Sequence, residues 1–277
     1  AALRRDLTGR VGGPPTVVVI GAGFIGCEVA ATARGLGCTV HVVAPEQVPM
    51  QRPLGLEVGA ALQRRHEAHG VTFHLGRLPS SVLGTERVEA VVLDDGTRLD
   101  ADVVVEALGC LPNTEWLSGN GLDLTDGVLT DGWMRALDVD GVAHGDVVAV
   151  GDVARFPNAL FDAVPRRVEH WSIPTDTAKR AGPALVAHLS GAPLDPAPFA
   201  PVPAFWSDQY GQRLQSFGAP GLADQIRLLE GDLDADFVAG YFRASELVGV
   251  VGISLMPSLL KHRAALAARA PRAAPRA

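Results

Sequence analysis

The sequence predicts an α/β fold built on a parallel, nucleotide-binding sheet, and three observations carry that prediction. An apolar run at 17–20 is followed at once by Gly21, Gly23 and Gly26 in Gly-x-Gly-x-x-Gly spacing, and an apolar helical pattern continues to Leu36. Gly37 closes that helix and a β-branched run follows at 39–44, so strand, helix and strand succeed one another directly. A further apolar run at 147–150 ends in Gly151-Asp152, again a strand that delivers a turn and a polar group at its C-terminal end. Open α/β sheets place ligands at such strand ends.

The glycine spacing has a physical reading. Gly21 permits the tight turn out of the strand. Gly23 lacks a side chain, so a pyrophosphate reaches the backbone. Gly26 lets the helix pack closely, and the helix N-terminus offers free N–H groups and a positive dipole. Residues 54–69 form the next predicted helix, closed by Gly70, and 71–75 a third strand. Residues 88–93, the turn Asp94-Asp95-Gly96 and residues 98–99 predict a hairpin, with a return strand at 102–107. Beyond the break at 109–113 come a strand at 147–150, a helix at 174–189 and a Pro-rich linker at 192–203. Strands at 225–229, 236–242 and 247–253 precede a last helix at 257–268. The expected division is a lead-in at 1–15, a Rossmann-like NAD(P)-binding domain at 16–109 and a second nucleotide half-domain at 110–191. A small α+β domain at 204–268 and a flexible tail at 269–277 complete it.

Composition narrows the class. Of 277 residues, 47% are hydrophobic and 20% charged, as in a globular protein with a sizeable core. A net charge of −7 argues against nucleic acid as the main partner. No apolar run reaches the roughly 18 residues of a membrane span, and no secretory leader is visible, so a cytoplasmic protein is expected. Cys27, Cys38 and Cys110 show neither disulfide nor metal-ligand spacing.

Seventeen residues after Asp152 comes Glu169-His170-Trp171, just before the helix at Pro174. A carboxylate at a strand end and a helix N-terminus facing one crevice suit a polyol and the electron-accepting edge of a flavin. Taken with 109–113 (Gly-Cys-Leu-Pro-Asn), 150–153 (Val-Gly-Asp-Val) and 205–209 (Phe-Trp-Ser-Asp-Gln), the chain resembles the two-dinucleotide flavoproteins. Within them it is most similar to the FAD-dependent ferredoxin and rubredoxin reductases of oxygenase systems. The resemblance covers nearly all of 3–268.

That resemblance implies hydride transfer from NAD(P)H to FAD and single-electron delivery to a ferredoxin-type iron–sulfur protein serving an oxygenase. It implies that Gly21, Gly23 and Gly26 hold the nicotinamide nucleotide's pyrophosphate, that Phe24 gates the nicotinamide pocket and that Glu28 orients the nicotinamide amide. Asp152 would bond the flavin's ribityl chain. Gly109 and Gly151 would line that cofactor, Glu169, His170 and Trp171 would lie along its ring, and Trp206 would approach its edge. No side-chain nucleophile or acid–base pair is needed.

The chain departs from the pattern in two places. It holds one Gly-x-Gly-x-x-Gly fingerprint where the family has two, so the N-terminal part of the FAD domain is expected to be missing. A truncated, non-catalytic NAD(P)-binding protein is therefore an alternative, as is a flavin-dependent oxidase or peroxide reductase. Residues 41–44 end in Ala44, where an acid would hold the adenosine ribose, and Glu46 comes only after Pro45. The lack of a C-terminal dimer motif containing His counts against a disulfide reductase. His66 and His69 are read as a solvated helix face. Arg166, Arg167, Lys179, Arg180 and Arg213 are candidates for steering an acidic partner.

Overall fold

The computed structural model describes residues 2–8 and 13–269. Part of the expected lead-in is a helix, α1 (Ala2–Thr8), held because Leu7 is buried with Val17, Ala33 and Val40. The first strand, β1 (Thr16–Ile20), is followed by α2 (Phe24–Gly35), β2 (Thr39–Ala44), α3 (Gln51–Ala68) and β3 (Val71–Leu75). Helix α3 starts earlier than the sequence suggested and bends at Gly55, whose φ is 77°. A three-stranded antiparallel unit then leaves the sheet: β4 (Pro79–Leu83), β5 (Ala90–Leu93) and β6 (Arg98–Asp100). The chain returns as β7 (Val103–Glu106), giving a parallel sheet in the order β3-β2-β1-β7.

Both faces of this sheet are covered, and that explains the unbroken apolar run in β1. Val17 and Val19 pack with Ala30 and Ala33 of α2, whereas Val18 and Ile20 pack with Val91, Leu93 and Leu99 of the antiparallel unit. A strand buried on both sides needs apolar residues at successive positions.

The middle of the chain is less regular. It holds β8 (Val128–Leu129), β9 (Arg135–Leu137), β10 (Ala143–Val148), β11 (Ala154–Asn158), β12 (Asp162–Arg167) and α4 (Ile173–Ser190). These strands form two small sheets, β10-β9 and β12-β11-β8. The strand expected at 147–150 begins and ends earlier than the sequence suggested, and Val147 and Val150 are exposed rather than buried. Among the described residues β10 has one strand partner, β9, so its apolar residues lack a second neighbour.

The C-terminal sheet is antiparallel throughout. Its strands are β13 (Ala204–Gln209), β14 (Gln212–Gly218), β15 (Gln225–Gly231), β16 (Phe237–Arg243) and β17 (Glu246–Ile253), followed by α5 (Met256–Ala267). The order is β13-β14-β17-β16-β15. One face is closed by Leu259 and Leu266 of α5, which pack on Phe217, Val238 and Val250. The other face shares a core with the nucleotide-binding region: Leu54, Val58 and Leu62 of α3 pack with Phe237, Tyr241 and Val251. Tyr241 sits in that seam, and its hydroxyl donates to the Leu54 carbonyl at 2.7 Å. Apolar burial of this extent, with its one polar atom satisfied, ties the two regions together. The tail expected to fray lies, from residue 270 on, outside the described residues.

Candidate active site at the glycine loop and the C-terminal sheet

The loop after β1 separates two uses of glycine. Gly21 has φ 107°, and a Cβ there would collide with the Ala107 carbonyl oxygen, where the chain returns from β7. At Gly26 a Cβ would collide with the carbonyl oxygen of Gly21. The close approach at Gly26 is therefore mainly of the helix to its own loop rather than to the sheet. Gly23 differs from both, because a Cβ there meets nothing within 4 Å. Two glycines are required by the protein's own packing, and the third leaves open space at the mouth of the loop. No side chain caps the first turn of α2. Its N–H groups are left for an anion, the arrangement that binds phosphate at helix N-termini.

Next to this loop three rings meet. Phe24 in the first turn of α2 lies 4.5 Å, centroid to centroid, from Phe205 of β13, and Phe205 lies 5.0 Å from His170. One cluster thus joins the glycine loop, the segment before α4 and the C-terminal sheet. Phe24, Phe205, His170 and Glu169, with Arg52 and Arg167, line a cavity of about 720 Å³. That volume lies in the range of cofactor sites.

The segment before α4 carries polar groups without partners. Among the described residues, His170 Nδ1 and Ser172 Oγ are buried and make no hydrogen bond. Burial pulls the His170 imidazole down to about 4, opposed by the Glu169 carboxylate, so it is neutral at pH 7. Ser172 stands at the N-cap of α4 yet caps no N–H group. Arg167 gathers this corner: Nη1 donates to Glu169 Oε1 at 2.5 Å and to the Asp152 carbonyl at 3.2 Å. Gly151 is fixed by its N–H to Thr177 Oγ1 at 3.0 Å, and the Asp152 side chain is exposed. Gly109, at φ 88°, is open on its Cβ side. Cys110 next to it is close enough to Glu169 for that carboxylate to push its thiol up. The sequence-predicted residues Gly109, Gly151, Asp152, Glu169 and His170 are therefore neighbours. His170 meets Phe24 through Phe205. Trp171 is 83% exposed and joins no ring cluster.

Trp206 is not brought into the junction. It lies on the opposite face of β13 from Phe205, half-exposed, with the Arg213 guanidinium 5.8 Å above its ring. Phe205 takes the inward position.

Glu28 is half-buried behind the loop, and its Oε1 accepts the Ser207 hydroxyl at 2.7 Å and the Asp208 N–H at 3.3 Å. The solvated face expected at His66 is a correction. His66 is completely buried, 2.8 Å from Gln209 Oε1 through Nε2 and 2.8 Å from the Tyr210 hydroxyl through Nδ1. It continues the inward row Leu54, Val58, Leu62 at four-residue spacing, which places it in the core. His69 stacks on Tyr210 at 3.7 Å.

Four of the five candidate steering charges have ion-pair partners. Arg166 pairs with Asp162, Arg167 with Asp126 and Glu169, Arg180 with Asp195 and Arg213 with Asp208. Of the five, only Lys179 has no ion pair among the described residues. The nearest acid beyond β2, Glu46, is itself 3.3 Å from Arg52.

A glycine-looped parallel sheet, a ring cluster at its mouth and a polar corner facing it define a pyridine-nucleotide-dependent oxidoreductase scaffold. The chain belongs to the pyridine nucleotide-disulphide oxidoreductase family, whose pattern residues 2–178 match, and residues 204–277 match the reductase C-terminal domain. It is 38% identical over 216 residues to the ferredoxin–NAD(+) reductase component of the anthranilate 1,2-dioxygenase system of Burkholderia cepacia, covering 78% of this chain and 50% of that one. It is 31% identical over 268 residues to rhodocoxin reductase of Rhodococcus erythropolis, covering 96% and 59%. The solved covalent putidaredoxin reductase–putidaredoxin complex superposes with a TM-score of 0.83 at 29% identity, over 97% of this chain and 61% of that one. The chain thus spans 50% to 61% of these relatives' lengths.

Proposed function

We propose that this chain carries the nicotinamide site and the flavin-ring side of an NAD(P)H-dependent ferredoxin reductase. The observation that carries the reading is the Phe24–Phe205–His170 cluster, because the first residue of the helix after the glycine loop lines one cavity with Glu169 and His170. The loop N–H groups and the open face of Gly23 would hold the nucleotide's pyrophosphate. Phe24 would cover the nicotinamide ring, and Glu28 would accept from its amide.

The residues present fit the ring end of FAD. The orphaned His170 Nδ1 and Ser172 Oγ supply polar atoms in want of a partner. Gly109, Gly151, Asp152, Glu169 and Trp171 would line the same cofactor. Bound there, FAD would supply the conversion between two-electron and one-electron chemistry that a nicotinamide lacks. The neutral His170 adds no positive charge to the ring. Phe205 and Phe24 would help to exclude water beside the bound cofactors.

The electron acceptor in this reading is a ferredoxin-type iron–sulfur protein serving an oxygenase, as the relatives' names suggest, and the compartment is the cytoplasm. No helix among the described residues is long and apolar enough to cross a membrane. The proposed division is 16–109, 110–191 and 204–268, with the last part bound tightly to α3.

The test is nucleotide binding, followed by reduction of an iron–sulfur protein or an artificial dye by the 277-residue chain with FAD added. NADH-dependent reduction that requires FAD supports the reading. Nucleotide binding without any reduction at saturating FAD overturns the electron-transfer part and leaves a nucleotide-binding protein. Rapid oxygen consumption with poor acceptor reduction points to an oxidase instead.

A further inference from the structure

Strand β13 turns three side chains inward, Phe205, Ser207 and Gln209, and two of them are polar and buried. Their hydrogen bonds form one continuous chain. Tyr210 OH is 2.8 Å from His66 Nδ1, and His66 Nε2 is 2.8 Å from Gln209 Oε1. Gln209 Nε2 donates to Ser207 Oγ at 3.0 Å, and Ser207 Oγ donates to Glu28 Oε1 at 2.7 Å.

The direction of this chain follows from its acidic end. An ionised carboxylate only accepts, so the Ser207 proton must point at Glu28. Ser207 then has to accept, and only the amide nitrogen of Gln209 can give. That turns Gln209 Oε1 towards His66, which must carry its proton on Nε2. Nδ1 is left bare to receive the Tyr210 hydroxyl. Each of the four links has one permitted direction, and the whole tautomer and amide assignment is set by one charge. Burial keeps His66 neutral, at about 4, which suits a ring that donates on one side and accepts on the other.

A network of this kind is rigid because breaking any link strands a buried polar group. It also ends in an informative place. Both donors to Glu28 fall on Oε1, and among the described residues none falls on Oε2. We propose that Tyr210, His66, Gln209 and Ser207 form a one-way relay that fixes the Glu28 carboxylate in one rotamer. Oε1 is held by protein, and Oε2 is presented to the nicotinamide amide. Ser207 and His66 are positioning residues for the nicotinamide end of the nucleotide, and the C-terminal sheet contributes to a site whose phosphate contacts come entirely from the glycine loop. The inference rests on the nucleotide site proposed above.

The experiment compares binding of NADH with binding of ADP-ribose, which lacks the nicotinamide, by calorimetry on the 277-residue chain. In Ser207→Ala, NADH affinity is expected to fall about five- to tenfold, the usual scale of one charge-assisted hydrogen bond, with ADP-ribose affinity within about twofold of wild type. Glu28→Gln should give a similar loss, and the double variant little more, because both break one unit. Tyr210→Phe trims only the far end of the chain; it should show the same selective loss at smaller size, and it decides the matter if Ser207→Ala fails to fold. Parallel losses for NADH and ADP-ribose, or no loss for NADH, overturn the relay. A wild-type chain that binds NADH no better than ADP-ribose overturns the nicotinamide site itself, and the relay with it.

Discussion

The glycine loop and the corner formed by residues 109–111 and 151–172 are joined through the Phe24, Phe205 and His170 rings, yet they are built on opposite terms. The loop is finished by its own atoms. Gly21 and Gly26 fit against neighbouring carbonyls, β1 is buried on both faces, and the Met50 N–H closes on the Ala22 carbonyl at 2.8 Å. The corner is unfinished. His170 Nδ1 and Ser172 Oγ are orphaned, Asp152 is exposed, and Leu111 is 90% exposed. Buried polar atoms are nearly always paired in folded proteins. The corner's two orphans are polar atoms available to a ligand, whereas in the loop one glycine alone, Gly23, has a missing side chain that serves no packing purpose.

The joint between the two regions gives the largest expected effect. Phe205→Ala should cost about 3–4 kcal/mol of unfolding free energy, because it empties a buried ring site shared by three segments. Trp206→Ala, one residue on and on the other face, should cost under about 1 kcal/mol. Denaturant unfolding of the two variants reads this directly. Equal losses would mean that the faces of β13 are assigned the wrong way round.

Within the loop the glycines should divide in the same way. Gly26→Ala should destabilise by about 2–3 kcal/mol through overpacking against the Gly21 carbonyl. Gly23→Ala should leave stability within about 0.5 kcal/mol of wild type. Its methyl would nonetheless sit where a pyrophosphate approaches the backbone, so NADH affinity should fall at least about tenfold. A Gly23→Ala chain that binds NADH as well as wild type would remove the ligand-based reason for that glycine.

The tie between β12 and β16 comes next. Asp162 accepts from Arg166 at 2.5 Å and from Arg243 at 2.7 Å, and these hydrogen bonds hold its carboxyl well below the usual carboxylate range. Asp162→Asn should cost about 1–2 kcal/mol, kept modest because both guanidiniums are partly exposed to solvent. Thermal unfolding with and without 1 M salt measures it.

How much of this was legible in the sequence depended on where each signal lived. The loop, β2 and β3 were readable because apolar period and glycine punctuation are local. The observed strands Thr39–Ala44 and Val71–Leu75 coincide with those expected. β4, β11 and β12 were missed: each contains a proline, and they lie in small sheets where burial is partial. β13 was missed as a strand because its inward positions after Phe205 are Ser207 and Gln209, while an exposed tryptophan stands between, so the polar and apolar phases are inverted. His66 was misread for a related reason. Its position in the row of Leu54, Val58 and Leu62 said core and its side chain said solvent, and the partners that settle the question, Gln209 and Tyr210, lie far along the chain.

The smallest expected effect concerns acidity, and here the two regions behave alike. His66 and His170 are both drawn down to about 4 by burial, against an ordinary value of 6.5. Between those limits the unfolded chain binds protons that the folded chain refuses, so stability rises with pH across the window and is lost as pH falls through it. His66 is satisfied on both nitrogens, and protonating it would force the Tyr210 hydroxyl to turn away. His170 has a free Nδ1 and Glu169 beside it, yet burial draws it down as far. Replacing either histidine with Phe should therefore flatten the stability–pH curve between about 4 and 6.5 to a similar extent, even where the baseline falls. Urea midpoints taken across that range compare the two slopes. A curve that neither replacement flattens would show that neither ring refuses its proton in the folded chain.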